Sequence, residues 1–221
     1  MKGIKEKNAI YEKRLMAADR SIHNGSIAGA LGQAREGFEL GLELGRNECA
    51  AQYLFCLNEL GRFDEAAQAA ERYMGFVKPE AAAGVDDAVL SNALCAMLAF
   101  GTEKAGRVGM ELLKKSGLAS VNEWRRRFAA FDYNPVQTSL VFNAALVFSH
   151  AGQKAQAEQL LKEVMEHMIF FIDSQTNGER NISEEEAETI SKFLELLGAE
   201  FAQLKEAELW RELAEIAEHN I

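Results

Sequence analysis

The sequence predicts an all-α fold of helical hairpins stacked along one another, and three observations carry that expectation. The 221-residue chain is 48% hydrophobic and contains only two prolines, Pro79 and Pro135, so little in it breaks helices and a sizeable core can be buried. Residues 50–70 (AAQYLFCLNELGRFDEAAQAA) run from an apolar helix through Gly61 and Phe63 into a second, alanine-rich helix. The same grammar returns at 141–161 (VFNAALVFSHAGQKAQAEQLL) and, more loosely, at 90–110. A helix pair that recurs along a chain cannot bury its apolar face alone and is stabilised by stacking on its neighbours.

A first helix is expected over about 4–22, with Ile4, Ile10, Leu15 and Ala18 as its apolar stripe and Gly25 as its stop. In the second, about 27–44, Ala30, Ala34, Gly37 and Gly41 form one small-residue face that lets a neighbouring helix come close. Such spacing also occurs in membrane dimers, but Arg35, Glu36, Glu39 and Glu43 would then sit in lipid, so packing within a soluble hairpin is expected. Helices over about 47–60, 64–77, 86–100 and 102–116 follow, turning at Gly61 and Gly101, with Thr102 expected to cap the last.

Successive turn glycines (Gly25, Gly61, Gly101, Gly152) lie 36, 40 and 51 residues apart. The long third interval leaves room for an inserted helix over about 121–131, opened by a Ser120/Glu123 capping box, with Val121, Trp124, Phe128 and Phe131 on its inner stripe. Asn134 followed by Pro135 places a cap residue and a first-turn proline before a helix at 136–150. Its run 140–148 (LVFNAALVF) has almost no polar face, which places it in the interior of the stack. A helix at 153–173 completes the fourth hairpin. Ser183 and Glu186 open a helix over 184–197, and Gly198 is expected to separate it from a last helix over 199–218. There Ala202, Leu209, Leu213 and Ile216 share one face and glutamates cover much of the rest, as an outer capping helix requires.

The formal net charge is −10, a sign that disfavours nonspecific binding to nucleic acid or an anionic membrane surface. It is unevenly spread. Residues 1–20 hold six Lys/Arg against three Asp/Glu, whereas residues 183–221 hold eleven Glu against Lys192, Lys205 and Arg211. Cys49, Cys56 and Cys95 form no C-x-x-C pair, and an odd number of thiols suits a reducing cytoplasm. The opening MKGIKEKNAIYEKR has no apolar core of a secretory signal, and no run is long and apolar enough for a membrane span.

Catalytic signatures are not expected. No H-E-x-x-H, paired Glu-x-x-His or G-x-S-x-G occurs, and the glycine-rich 25–32 lacks the Gly-Lys-Ser/Thr of a phosphate loop. Neither a metal nor a cofactor is therefore predicted. His23 and His150 each stand two residues before a turn glycine, where a partly cationic ring suits a helix C-terminus. Arg125, Arg126 and Arg127 form the densest basic cluster beyond the N-terminus, on the insertion. They are expected either to pair with nearby glutamates on a solvated face or to dock an acidic partner.

At 50–70 the chain resembles the tetratricopeptide repeat (TPR) family. Leu57, Gly61, Phe63 and Ala66 fit its inter-helix turn, and Pro79 falls near the proline that closes a repeat. Ala145, Phe148, Gly152 and Ala157 fit the same pattern, as do Met97, Gly101 and Leu113, so the resemblance covers about 25–116 and 136–170. It implies a right-handed α-solenoid of about eleven helices that binds a peptide or helix of another protein in a concave groove lined by the first helix of each pair. Aligned on the turn glycines, that groove presents Gln52, Phe55 and Asn58, then Asn92 and Cys95, then Asn143, Leu146 and His150. Gln52, Asn92 and Asn143 each stand nine residues before their glycine, where an amide offers donor and acceptor to a peptide backbone. The lysines with which chaperone-binding members clamp a terminal carboxylate have no counterpart at these positions. The alternative function is a self-associating assembly subunit, the acidic last helices of one copy meeting the basic first helix of another.

Overall fold

The computed structural model describes residues 2–76 and 86–221, and within them every regular element is helical. In chain order these are α1 (Lys2–His23), α2 (Ile27–Leu44), α3 (Glu48–Glu59), α4 (Phe63–Phe76), α5 (Asp87–Leu98), α6 (Thr102–Lys115), α7 (Val121–Phe128), α8 (Pro135–His150), α9 (Lys154–Thr176), α10 (Glu184–Glu200) and α11 (Glu208–Glu218), with a 3-10 turn at Ala202–Glu206. Pro79 lies outside the described residues.

The expected turn glycines all adopt the left-handed conformation that a side chain would resist: φ is 72° at Gly25, 67° at Gly61, 87° at Gly101 and 78° at Gly152. Asn134 caps α8 by accepting from the backbone N–H of Val136 and Gln137, with Pro135 in the first turn. The Glu123 carboxylate accepts from the Ser120 N–H and hydroxyl, and Glu186 does the same for Ser183, so both capping boxes open the helices they were expected to open.

Helices pack in a regular order. α1 lies against α2, and α3 lies against both; α5 lies against α3 and α4; α8 lies against α5 and α6; α10 continues from α8, with α11 on α10 and α9. The helices α1, α3, α5, α8 and α10 therefore form one row, and each of α3, α5 and α8 sits against both members of the hairpin before it. One hydrophobic core runs through this row. α8 is its most buried member, with Leu140, Val141, Ala144, Ala145, Val147 and Phe148 fully enclosed, as a helix apolar on all sides demands.

Small residues set the closest approaches. A Cβ on Gly37 would overlap the Cys49 sulfur, one on Gly41 would stand 2.7 Å from the Arg46 carbonyl oxygen, and one on Gly109 would stand 2.6 Å from a Val147 methyl. α2 thus meets α3, and α6 meets α8, at separations only glycine permits.

Four expectations change. Of the expected α1 stripe, Ile4 and Ile10 are exposed, Leu15 is partly buried and Ala18 is buried as expected, with Tyr11 as the large side chain enclosed beside it. Thr102 is the first residue of α6 and Gly101 occupies the cap position. Gly198 does not end α10, which runs to Glu200; a Cβ there would crowd Lys205 and come within 3.2 Å of Trp210, so this glycine makes room for the chain that folds back after it. The last segment is split, with Ala202 exposed on the 3-10 turn, while Leu213 and Ile216 are buried on α11 as expected.

A candidate interaction face on the row of first helices

The residues singled out on α3, α5 and α8 fall along one edge of the row. Gln52, Phe55, Asn58, Asn92, Asn143, Leu146 and His150 are each partly buried, and Cys95 is exposed between them. They are not isolated from one another. Gln52 Nε2 donates to the Leu15 carbonyl of α1 at 3.4 Å, Asn58 Nδ2 donates to the Asn92 carbonyl of α5 at 2.9 Å, and Asn143 Nδ2 donates to the Ser91 carbonyl of α5 at 3.3 Å. Each amide nitrogen thus ties one helix of the row to the next.

The expectation that each amide offers donor and acceptor together narrows, because at least one N–H of each is already spent within the chain. Asn92 is used on both sides: its Nδ2 donates to Ala88 O at 2.8 Å and its Oδ1 accepts from Asn58 at 3.3 Å. The acceptor half of the others is different. Gln52 Oε1 and Asn58 Oδ1 are shielded from solvent and receive no hydrogen bond, and the same holds for His150 Nδ1 at the end of α8. Six buried side-chain polar atoms without a partner occur among the described residues, and three of them lie on this edge, where sound packing allows few anywhere. His23, by contrast, meets the carbonyl of Asp19 at 3.2 Å, as a ring at a helix end should.

The arginine cluster divides. Arg125 pairs with Glu163 of α9, holding that carboxyl below its ordinary range, and donates to Asn122 Oδ1 at 2.8 Å. Arg127 pairs with Asp87 at the start of α5, whose other oxygen accepts from Gln137 Nε2 at 3.3 Å. Arg126 is exposed, and among the described residues its guanidinium reaches only the Asn122 carbonyl in its own helix, at 3.4 Å. Beneath the cluster Val121, Trp124, Phe128 and Phe131 are buried, with Trp124 Nε1 donating to Leu118 O at 2.9 Å. Two of the three arginines therefore fasten the insertion to α9 and α5.

Sequence reasoning overlooked Gln137, a buried amide whose oxygen accepts from the N–H groups of Asp132 and Tyr133 at 3.0 and 2.9 Å and so shapes the entry to α8. It also overlooked a groove between α10 and α11 floored by Trp210; a glycine inside a helix, opposite a tryptophan twelve residues on, was the available signal. Among the described residues no three or more His, Cys, Asp or Glu side chains are grouped to hold a metal ion, and no helix is long and apolar enough to cross a membrane. Comparison with protein-family models, with curated proteins and with solved structures returned no match.

Proposed function

We propose that this chain is a non-catalytic, cytoplasmic protein-interaction module: a right-handed, TPR-like solenoid that holds a peptide or helix of a partner along the edge made by α3, α5 and α8. The observation that carries the reading is the set of unsatisfied acceptors on that edge, Gln52 Oε1 and Asn58 Oδ1, beside the partly exposed apolar side chains Phe55 and Leu146. A buried acceptor left without a donor costs about 1–3 kcal/mol, so an incoming backbone N–H reached by a small amide rotation recovers a cost the free protein bears. Phe55 and Leu146 add an apolar surface that a side chain of the partner can cover. The three unpaired cysteines are in keeping with a reducing compartment.

Asn58 and Asn92 hold α3 to α5, so substituting them would confuse binding with stability. The informative variants are Phe55→Ala and Leu146→Ala. Peptides selected by the wild-type chain from a random displayed library should lose about tenfold or more in affinity for each, with the melting temperature held. Selection of no peptide, or affinity unchanged by both substitutions, contradicts the proposal.

A further inference from the structure

The two outermost hairpins present complementary surfaces, and we infer that copies of this chain associate head to tail, α1 of one copy seating in the α10–α11 groove of the next. The inference uses none of the residues of the inner edge and stands or falls separately from it.

Within the chain, α3, α5 and α8 each lie against both helices of the preceding hairpin. The equivalent position on the last hairpin is an open groove of about 470 Å³ between α10 and α11. Leu194, Trp210, Ala214 and Ala217 line it, with Glu195, Glu218 and one cation, Lys205, as its charged groups. Trp210 is only partly buried there, whereas Trp124 is fully enclosed. An apolar channel with a tryptophan in its floor suits a helix rather than a small charged ligand.

Charge and periodicity single out α1 as the occupant. On the side of α1 turned away from α2 and α3, Lys5, Ala9, Lys13, Met16 and Arg20 fall at i, i+4, i+8, i+11 and i+15, and all five are exposed. Met16 is 59% exposed, a large apolar side chain in the middle of a basic stripe. Lys5, Lys13 and Arg20 have no ion-pair partner among the described residues, whereas Lys7 and Arg14 are paired with Glu43 and Glu36 of α2. Around the groove, Glu195 and Glu218 are likewise free of ion pairs among the described residues. Lys192 is engaged with Glu188, which leaves Lys205 and Arg211 as the local cations against a larger number of carboxylates. A basic helix stripe with Ala9 and Met16 along its centre thus matches an apolar groove whose walls carry more carboxylates than cations. Because α1 and the α10–α11 groove lie on different hairpins, a head-to-tail contact leaves one of each free at the ends of a pair, and it builds a ring if the rotation between copies closes and an open chain if it does not.

Sedimentation of the full chain over a range of concentrations tests this. Mass should rise with concentration at low salt and fall back as salt is added, because exposed complementary charges are screened. Lys5→Glu/Lys13→Glu/Arg20→Glu and Glu195→Lys/Glu218→Lys should each weaken association about tenfold or more when alone. An equimolar mixture of the two should recover it, since every junction between unlike copies is again complementary. Trp210 emission, read in a Trp124→Phe chain shown to remain folded, gives a second readout: it should shift to shorter wavelength on association. A monomer at all concentrations overturns the inference. So do association that survives both charge reversals and a mixture that stays as dissociated as its components.

Discussion

At the scale of single residues, Tyr11 shows how one side chain can join its helix both to a neighbouring helix and to the loop that leads into it. Its hydroxyl donates to Glu48 Oε2 at 2.9 Å and accepts from the Cys49 N–H at 3.0 Å, while the Arg46 guanidinium lies 4.3 Å from its ring centroid. Arg46 also pairs with Glu12 and Glu48, so α1 is fastened to the start of α3 through a shared network. Arg46 lowers the Glu48 carboxyl from 4.5 to about 2. A group held below its unfolded pKa stabilises the fold above that pKa and ceases to as pH falls towards the folded value. Urea unfolding of wild type and Glu48→Gln should therefore show a stability gap at neutral pH that closes between about 4.5 and about 2. A gap that is constant with pH would mean the carboxylate contributes nothing through its charge. None of this was legible in the sequence. Tyr11 stands among charged residues and its partners are 37 and 38 residues away, so periodicity assigned the stripe to Ile4, Ile10, Leu15 and Ala18, of which Ala18 is buried and the two isoleucines are exposed.

At the scale of elements, the local rules served well where the physics was local. Both capping boxes, the Asn134–Pro135 helix start and the four left-handed glycine turns depend on residues within a few positions of each other. The small-residue face of α2 was legible for the same reason, since Ala30, Ala34, Gly37 and Gly41 share a helical period and all four are buried. That face makes a prediction. Gly37→Ala should cost about 1–3 kcal/mol in denaturant unfolding, because its methyl displaces Cys49. Gly32→Ala, on the exposed side of the same helix with nothing within 4 Å, should stabilise by about 0.5–1 kcal/mol. Equal effects at the two positions would show that helix propensity, not close approach, explains these glycines. The end of α10 was misread because Gly198 serves a tertiary contact with Lys205 and Trp210 that no local pattern announces.

At the scale of the whole molecule, each of α3, α5 and α8 rests on the hairpin before it, and the long third interval between turn glycines holds a buried-stripe helix fastened by Arg125 and Arg127. The all-helical class was legible because few residues break helices and apolar residues recur at a helical period. The state of the inner edge was not: which half of each amide is spent depends on carbonyls of the neighbouring helix, 34 to 52 residues distant. Cys95 offers a direct probe of that edge, since Cys49 and Cys56 are buried and it alone of the three is exposed. Crowding by neighbouring groups and Glu59 hold its thiol above the usual range, so labelling with a benzophenone maleimide is best run on the alkaline side. Irradiated with a library-selected peptide, the Cys95 probe should cross-link to it, and the same probe on Arg126→Cys in a Cys95→Ser chain should not. Cross-linking from position 126 with none from 95 would contradict the account and move the partner to the arginine-bearing insertion.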